Sequence, residues 1–304
     1  MTPIQRLRLS WITLLWAGIV LSSPRGWAGP LDLYPALLDT LMGGHYRAAD
    51  SLCAQLAADH PGHPAVPYAL ATVRYTHMID MEDSVGRAEF LALADTCVAW
   101  CRVWEKRGEH DRTVLDYLKG SAYSTKGLLL LHEGNPLGGI RLLFMARDLF
   151  AGIIAAQPDF YDAYLGRGAY RASVARYASY LKWLPVVPTE GSGWDDLWLT
   201  VEKSRFSRYS ALSAMVWFAI EDRDFALADS IVQLGRARFP TARAFLWPKL
   251  AVEVRQRRWA DANVTAGTLL NQYLNHPDNN GYETTGLYWR LMICADSLGR
   301  PNEA

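Results

Sequence analysis

Apolar residues recur along most of this chain at intervals of three and four, separated by short polar breaks rich in glycine and proline. That period belongs to helices with one buried face. It predicts helices over Leu31–Leu41, Ala65–Asp80, Ser84–Lys106, Arg112–His132 and Ser207–Ile220. Gly43-Gly44, Gly108 and Gly134-Asn135-Pro136 provide stops, and Ser84 offers an N-cap. No stretch alternates at period two long enough for a strand, so the expected class is all-α.

A finer pattern repeats. Tyr46, Ala49, Cys53, Leu56 and Pro61 are spaced like Leu143, Ala146, Phe150, Ile153 and Pro158. Phe225, Ala228, Val232, Gly235 and Pro240 follow the same spacing. Trp259, Ala262, Ala266 and Leu269 make a fourth copy, with its proline displaced to Pro277. The first four residues of each copy fall along one helical stripe. The small residue admits a close neighbour, and the proline ends the helix and bends its predecessor out of helical geometry. The chain closes on Gly299–Ala304, which resembles the opening of a fifth such helix.

These four stripes resemble the second helix of the tetratricopeptide repeat. Ala163, Tyr164 and Gly168 stand near that family's first-helix positions, while Arg171 occupies an expected aromatic place, and Tyr68 and Trp247 fit with a shift of one. The resemblance implies a right-handed α-solenoid of antiparallel helix pairs, about six of them, over residues 29–304. It also implies a protein–protein interaction module whose first helices line a concave groove for a protein or peptide.

The regular spacing fails over residues 158–209, an irregular central insertion with a Lys-Trp-Leu-Pro loop. Tyrosine and arginine crowd it. Tyr164, Arg167, Tyr170, Arg171, Arg176, Tyr177 and Trp183 precede the glycine-rich break, and Arg205, Arg208 and Tyr209 follow it. Those residue types supply binding hot spots, and they suit anionic or peptidic partners through forked hydrogen bonds and stacking. The bland competitor is an inter-helix core with a solvated arginine rim. The apolar Trp183–Pro188 loop fits three roles: a lid, a peripheral membrane contact or a buried crossover. The scarcity of large exposed apolar patches favours the crossover.

The other candidate chemistry is weak. Gly166-Arg167-Gly168 lies inside a predicted helix and Gly191-Ser192-Gly193 has no following Lys-Ser/Thr, so neither cradles a phosphate. His60 and His63 flank a Pro-Gly that reads as an exposed inter-repeat turn, short of the ligands a metal requires. Asp195-Asp196 opens a predicted helix, where the macrodipole favours acids. Cys97 and Cys101 share a helix face but would bridge only with strain, so the four cysteines read as small core residues. No cofactor, metal or catalytic set is expected.

Charge changes the picture little. Basic and acidic residues number 31 each, so no net field draws the chain to nucleic acid. Arg6 and Arg8 precede an apolar run, Leu9–Leu21, and Gly26-Trp27-Ala28 follows it. This is the layout of a signal peptide over residues 1–28, and a 13-residue run, broken by Ser10 and Thr13, falls short of the ~20 residues that span a bilayer. Its removal leaves 28 basic against 31 acidic residues. The expectation is a secreted, periplasmic or extracellular scaffold that is not an enzyme. The runner-up is a periplasmic small-ligand-binding component, similar to tetratricopeptide proteins associated with solute uptake.

Overall fold

The computed structural model describes residues 29, 31–108, 111–181 and 191–299, with the side chains of 175–181 outside the description. The signal segment and the Trp183–Pro188 loop lie outside it. Among the described residues there are thirteen helices and no strand.

Helix α1 is Tyr34–Met42, α2 Tyr46–Asp59, α3 Ala65–Met81, α4 Arg87–Arg107, α5 Arg112–His132, α6 Pro136–Ala156 and α7 Ala163–Leu181. Then come α8 Trp194–Lys203, α9 Arg208–Glu221, α10 Phe225–Arg238, α11 Arg243–Arg255, α12 Trp259–Leu274 and α13 Tyr282–Ser297. Each helix packs on the next, and the odd-numbered helices from α1 to α11 also touch one another in succession. The odd helices therefore form a continuous inner ladder, with their even partners outside. This is an all-α, solenoid-like array, as the sequence pattern predicts.

The repeat is visible in the turns as well as the helices. Gly44, Gly134, Arg223 and Arg257 each follow an odd helix and each has a left-handed backbone, with φ of 74°, 76°, 60° and 57°. The next residue donates its N–H five positions back in all four turns: His45 to Thr40, Asn135 to Leu130, Asp224 to Ala219 and Arg258 to Glu253, at 2.8–3.1 Å. This closes the odd helix and starts the even one. In two turns the starting residue caps the new helix with its side chain, Asn135 to Gly138 and Asp224 to Leu227, both at 3.0 Å. Between pairs, the residue before Pro61, Pro158 and Pro240 takes φ of −134°, −138° and −123°, the extended region that a following proline enforces.

The sequence stripes are buried from their second residue onward. Ala49, Cys53 and Leu56 are at most 2% exposed. Ala146, Phe150 and Ile153, then Ala228 and Val232, then Ala262, Ala266 and Leu269, are at most 3% exposed. Small residues admit close neighbours: a Cβ on Gly235 would stand 2.3 Å from the Phe245 ring, and one on Gly166 2.2 Å from the Phe150 ring. The array departs from expectation at α4. Ser84 does not cap it; Gly86, at φ 90°, begins the helix instead, and Ser84 only accepts from the Arg87 N–H through its carbonyl.

The ladder curls until its ends meet. Arg243 on α11 donates from Nε to both carboxylate oxygens of Asp80 on α3, at 2.9 and 3.1 Å. Tyr46 Oη donates to the same carboxylate, and Tyr273 Oη donates to the Asp80 carbonyl at 3.0 Å. Asn280 donates to the Met81 carbonyl at 2.8 Å, and His77 pairs with Asp278 at 3.2 Å. Arg238 reaches Asp39 at 3.1 Å, and Arg205 reaches Asp32.

Candidate functional site

The described residues among those singled out in the central segment do not converge on one pocket. Tyr164 is buried, and its Oη donates to the Pro158 carbonyl at 3.0 Å. Arg167, one turn on, lies 4.7 Å above the Tyr164 ring and forks onto Asp196 at 2.8 and 2.7 Å. Arg171, one further turn along, reaches the same carboxylate at 3.2 Å. These three residues share a face of α7, and Asp196 is what it faces. Asp196 is 6% exposed and sits in the first turn of α8, where the macrodipole adds to its stabilisation. Its hydrogen bond holds the Arg167 guanidinium in its charged form above the usual range.

Two glycines bring Asp196 there. A Cβ on Gly193, at φ 79°, would stand 2.3 Å from the Gly168 carbonyl, and one on Gly168 would stand 2.9 Å from the Asp196 Cβ. The Gly-x-Gly at 166–168 is thus a packing surface inside α7.

The remaining members go elsewhere. Tyr170 is half-buried and turns toward α6, against Phe144, with Arg147 stacked 5.5 Å over its ring. Arg205 turns to Asp32. Arg208 is exposed beside Tyr209, whose ring meets Phe239 edge-on at 4.8 Å. The side chains of Arg176 and Tyr177, and all of Trp183, lie outside the described residues. Asp162 ties this segment together. It is 3% exposed and accepts the backbone N–H groups of Arg205, Phe206 and Ser207 at 3.1, 3.2 and 2.9 Å. A carboxylate just before α7 thereby pairs the backbone of the loop that leads into α9.

The inner face of the ladder, where a concave groove is expected, is filled by the protein's own aromatics. Tyr34 stacks on Tyr68 at 5.3 Å, Phe206 meets Tyr34 at 5.7 Å and Tyr117 at 5.8 Å, and Phe160 meets Tyr117 at 5.3 Å. All five rings are at most 9% exposed. Burial raises the Tyr34 and Tyr117 hydroxyls well above their ordinary range and pushes Tyr68 to about 12.

His63 corrects the exposed-turn reading of His60-Pro-Gly-His63. It is 6% exposed, accepts the Ala65 N–H at 3.1 Å through Nδ1, and meets the Trp104 ring edge-on. It is a helix-start residue of α3. The four cysteines are buried free thiols, as their reading as core residues expects. Burial pushes Cys53 up to about 12, so it is no thiolate near neutrality.

Open space lies on the outside. A groove of about 510 Å³ runs between α4 and α6 over the outer side of α5. Val98, Leu130, Leu142 and Met145 give it apolar walls, and Arg102, Arg141 and Tyr123 give it polar groups. Tyr123 and Leu130 lie roughly opposite the inward Tyr117 and Ser121 on the 100° helical wheel. Sequence reasoning missed this site because its residues come from three helices, and none of those stretches stands out in composition. No protein-family model and no curated protein matches the sequence.

Proposed function

We propose that the protein is a non-catalytic helical-repeat scaffold, tetratricopeptide-like in organisation, which holds a partner protein or peptide in the cell envelope. The observation that carries this reading is the fourfold repetition of one turn and one buried stripe. Stacked helix pairs of that kind build extended docking surface from identical units. The aromatic packing inside the ladder directs the partner to the outer faces. Those are the α4–α6 groove, the Arg147–Tyr170 face and the Arg208–Tyr209 face. Secretion rests on the layout of residues 1–28 and places the scaffold in the envelope.

A second reading has one observation in its favour. The groove volume also falls within the range of small-molecule sites, which suits a solute-binding component. Photo-crosslinking in whole cells separates the two. A photoreactive phenylalanine analogue is placed singly at Leu142, Tyr170 and Arg208, and the chain is recovered from the envelope fraction with Gly29 as its first residue. Adducts to a second polypeptide at one or more positions are expected. Their absence at all three overturns the scaffold reading, and recovery from the cytoplasm overturns its placement.

A further inference from the structure

We infer that the groove between α4, α5 and α6 is the docking site for an acidic, apolar peptide segment of the partner protein. This deepens the scaffold reading and rests on it. Arg102 on α4 and Arg141 on α6 are both exposed, and neither meets a carboxylate within 4 Å among the described residues. Arg102 donates to the Tyr123 hydroxyl, at 3.3 Å. The one acid in the groove wall, Asp95, is already held by Lys126 at 2.6 and 2.8 Å. The local balance is therefore two guanidinium groups with no carboxylate of their own. Most other arginines given partners in this fold have a carboxylate in reach.

Shape selects the rest. The apolar residues occupy the walls and floor, and each guanidinium stands on a wall. Asp95 to Arg102 on α4 and Gly138 to Met145 on α6 each cover about two turns, or roughly 10 Å of groove. That length accommodates a short helical or extended segment. Its apolar side chains would lie on Val98, Leu130, Leu142 and Met145, and its acids would meet the two arginines in forked hydrogen bonds. An uncharged apolar segment would leave both guanidinium groups without a carboxylate, and a basic one would be repelled.

The test is peptide selection on the full mature chain. A random peptide library is panned on the wild type and on Arg102→Glu/Arg141→Glu, and the best enriched peptide is then titrated by fluorescence anisotropy. The wild type is expected to enrich peptides in which Asp or Glu adjoins Leu, Phe or Met. The double charge reversal is expected to weaken the chosen peptide at least about tenfold and to enrich Lys- or Arg-bearing peptides instead. Arg102→Ala/Arg141→Ala is the second variant, expected to lose binding without gaining the basic preference. Enrichment of peptides without acids, or unchanged affinity in both variants, overturns the groove assignment and leaves the scaffold reading intact. Enrichment of no peptide at all overturns both.

Discussion

Arg167 and Arg171 on α7 face a buried carboxylate, whereas Arg102 on α4 and Arg141 on α6 flank a largely apolar groove with no carboxylate within 4 Å of them among the described residues. Tyrosine accompanies both pairs: Tyr164 lies beneath Arg167, and Tyr123 accepts from Arg102. The same two residue types serve the fold in one place and stand ready for a partner in the other. What separates them is the carboxylate. Where two helices approach closely enough, through Gly168 and Gly193, to deliver Asp196, arginine becomes part of the packing. Where the helices splay apart, as α4 and α6 do over α5, it remains surface.

The contrast breaks most visibly at Asp196. Asp196→Ala leaves two partly buried guanidinium groups without a counterion and is expected to cost on the order of 3 kcal/mol. Urea unfolding measures it, and a loss no larger than that of an exposed arginine would mean that the seam is not a structural pair.

A middle case is Glu283, half-buried at the meeting of the array's ends. Burial, with Glu82 nearby, pushes its carboxyl up to about 7. Between about pH 4.5 and 7 the folded chain then binds more protons at this site than the unfolded chain, so its contribution to stability falls as pH rises through that window. His276, held low chiefly by burial, contributes the opposite slope, because below about pH 6.5 the unfolded chain takes up the extra proton. Glu283→Gln removes only the first. The variant is expected to gain on the order of 1 kcal/mol relative to wild type at pH 8, after allowance for solvent screening, and nothing at pH 4. Thermal unfolding across that range reads the difference. Parallel curves for the two proteins would exclude a strained carboxyl at this place.

The smallest effect is expected at the groove. Arg102→Ala and Arg141→Ala should each shift stability by less than about 0.5 kcal/mol, since neither side chain is buried or paired with an acid. A loss comparable to that of Asp196→Ala would erase the distinction between the two regions.

Spacing within one helix carried most of the fold. The offsets linking Tyr46, Ala49, Cys53 and Leu56 are local, so the buried stripe and the proline stop were legible in the chain. The helix over Arg112–His132 was legible to its ends, because Gly134-Asn135-Pro136 combines a left-handed residue, a cap and a proline. Helix α4 was less so, because Ser84 and Gly86 compete to start it and the glycine prevails. The sites were largely illegible. Asp196 lies 29 residues from Arg167, and Asp80 lies 163 from Arg243, and no periodicity links positions so far apart. Tyr and Arg enrichment located the central segment, but composition is blind to whether a charged side chain already has a carboxylate beside it.

An open helical array behaves mechanically as a spring, because each unit leans only on its neighbours and strain spreads evenly along it. The contacts of Asp80 with Arg243, Tyr46 and Tyr273 make this chain a latched ring instead. Tension applied to its two ends falls first on those few contacts and reaches the helix stack only after they part. Folding inherits the same constraint, since Asp80 and Arg243 lie 163 residues apart and their contact closes after the local pairs have formed.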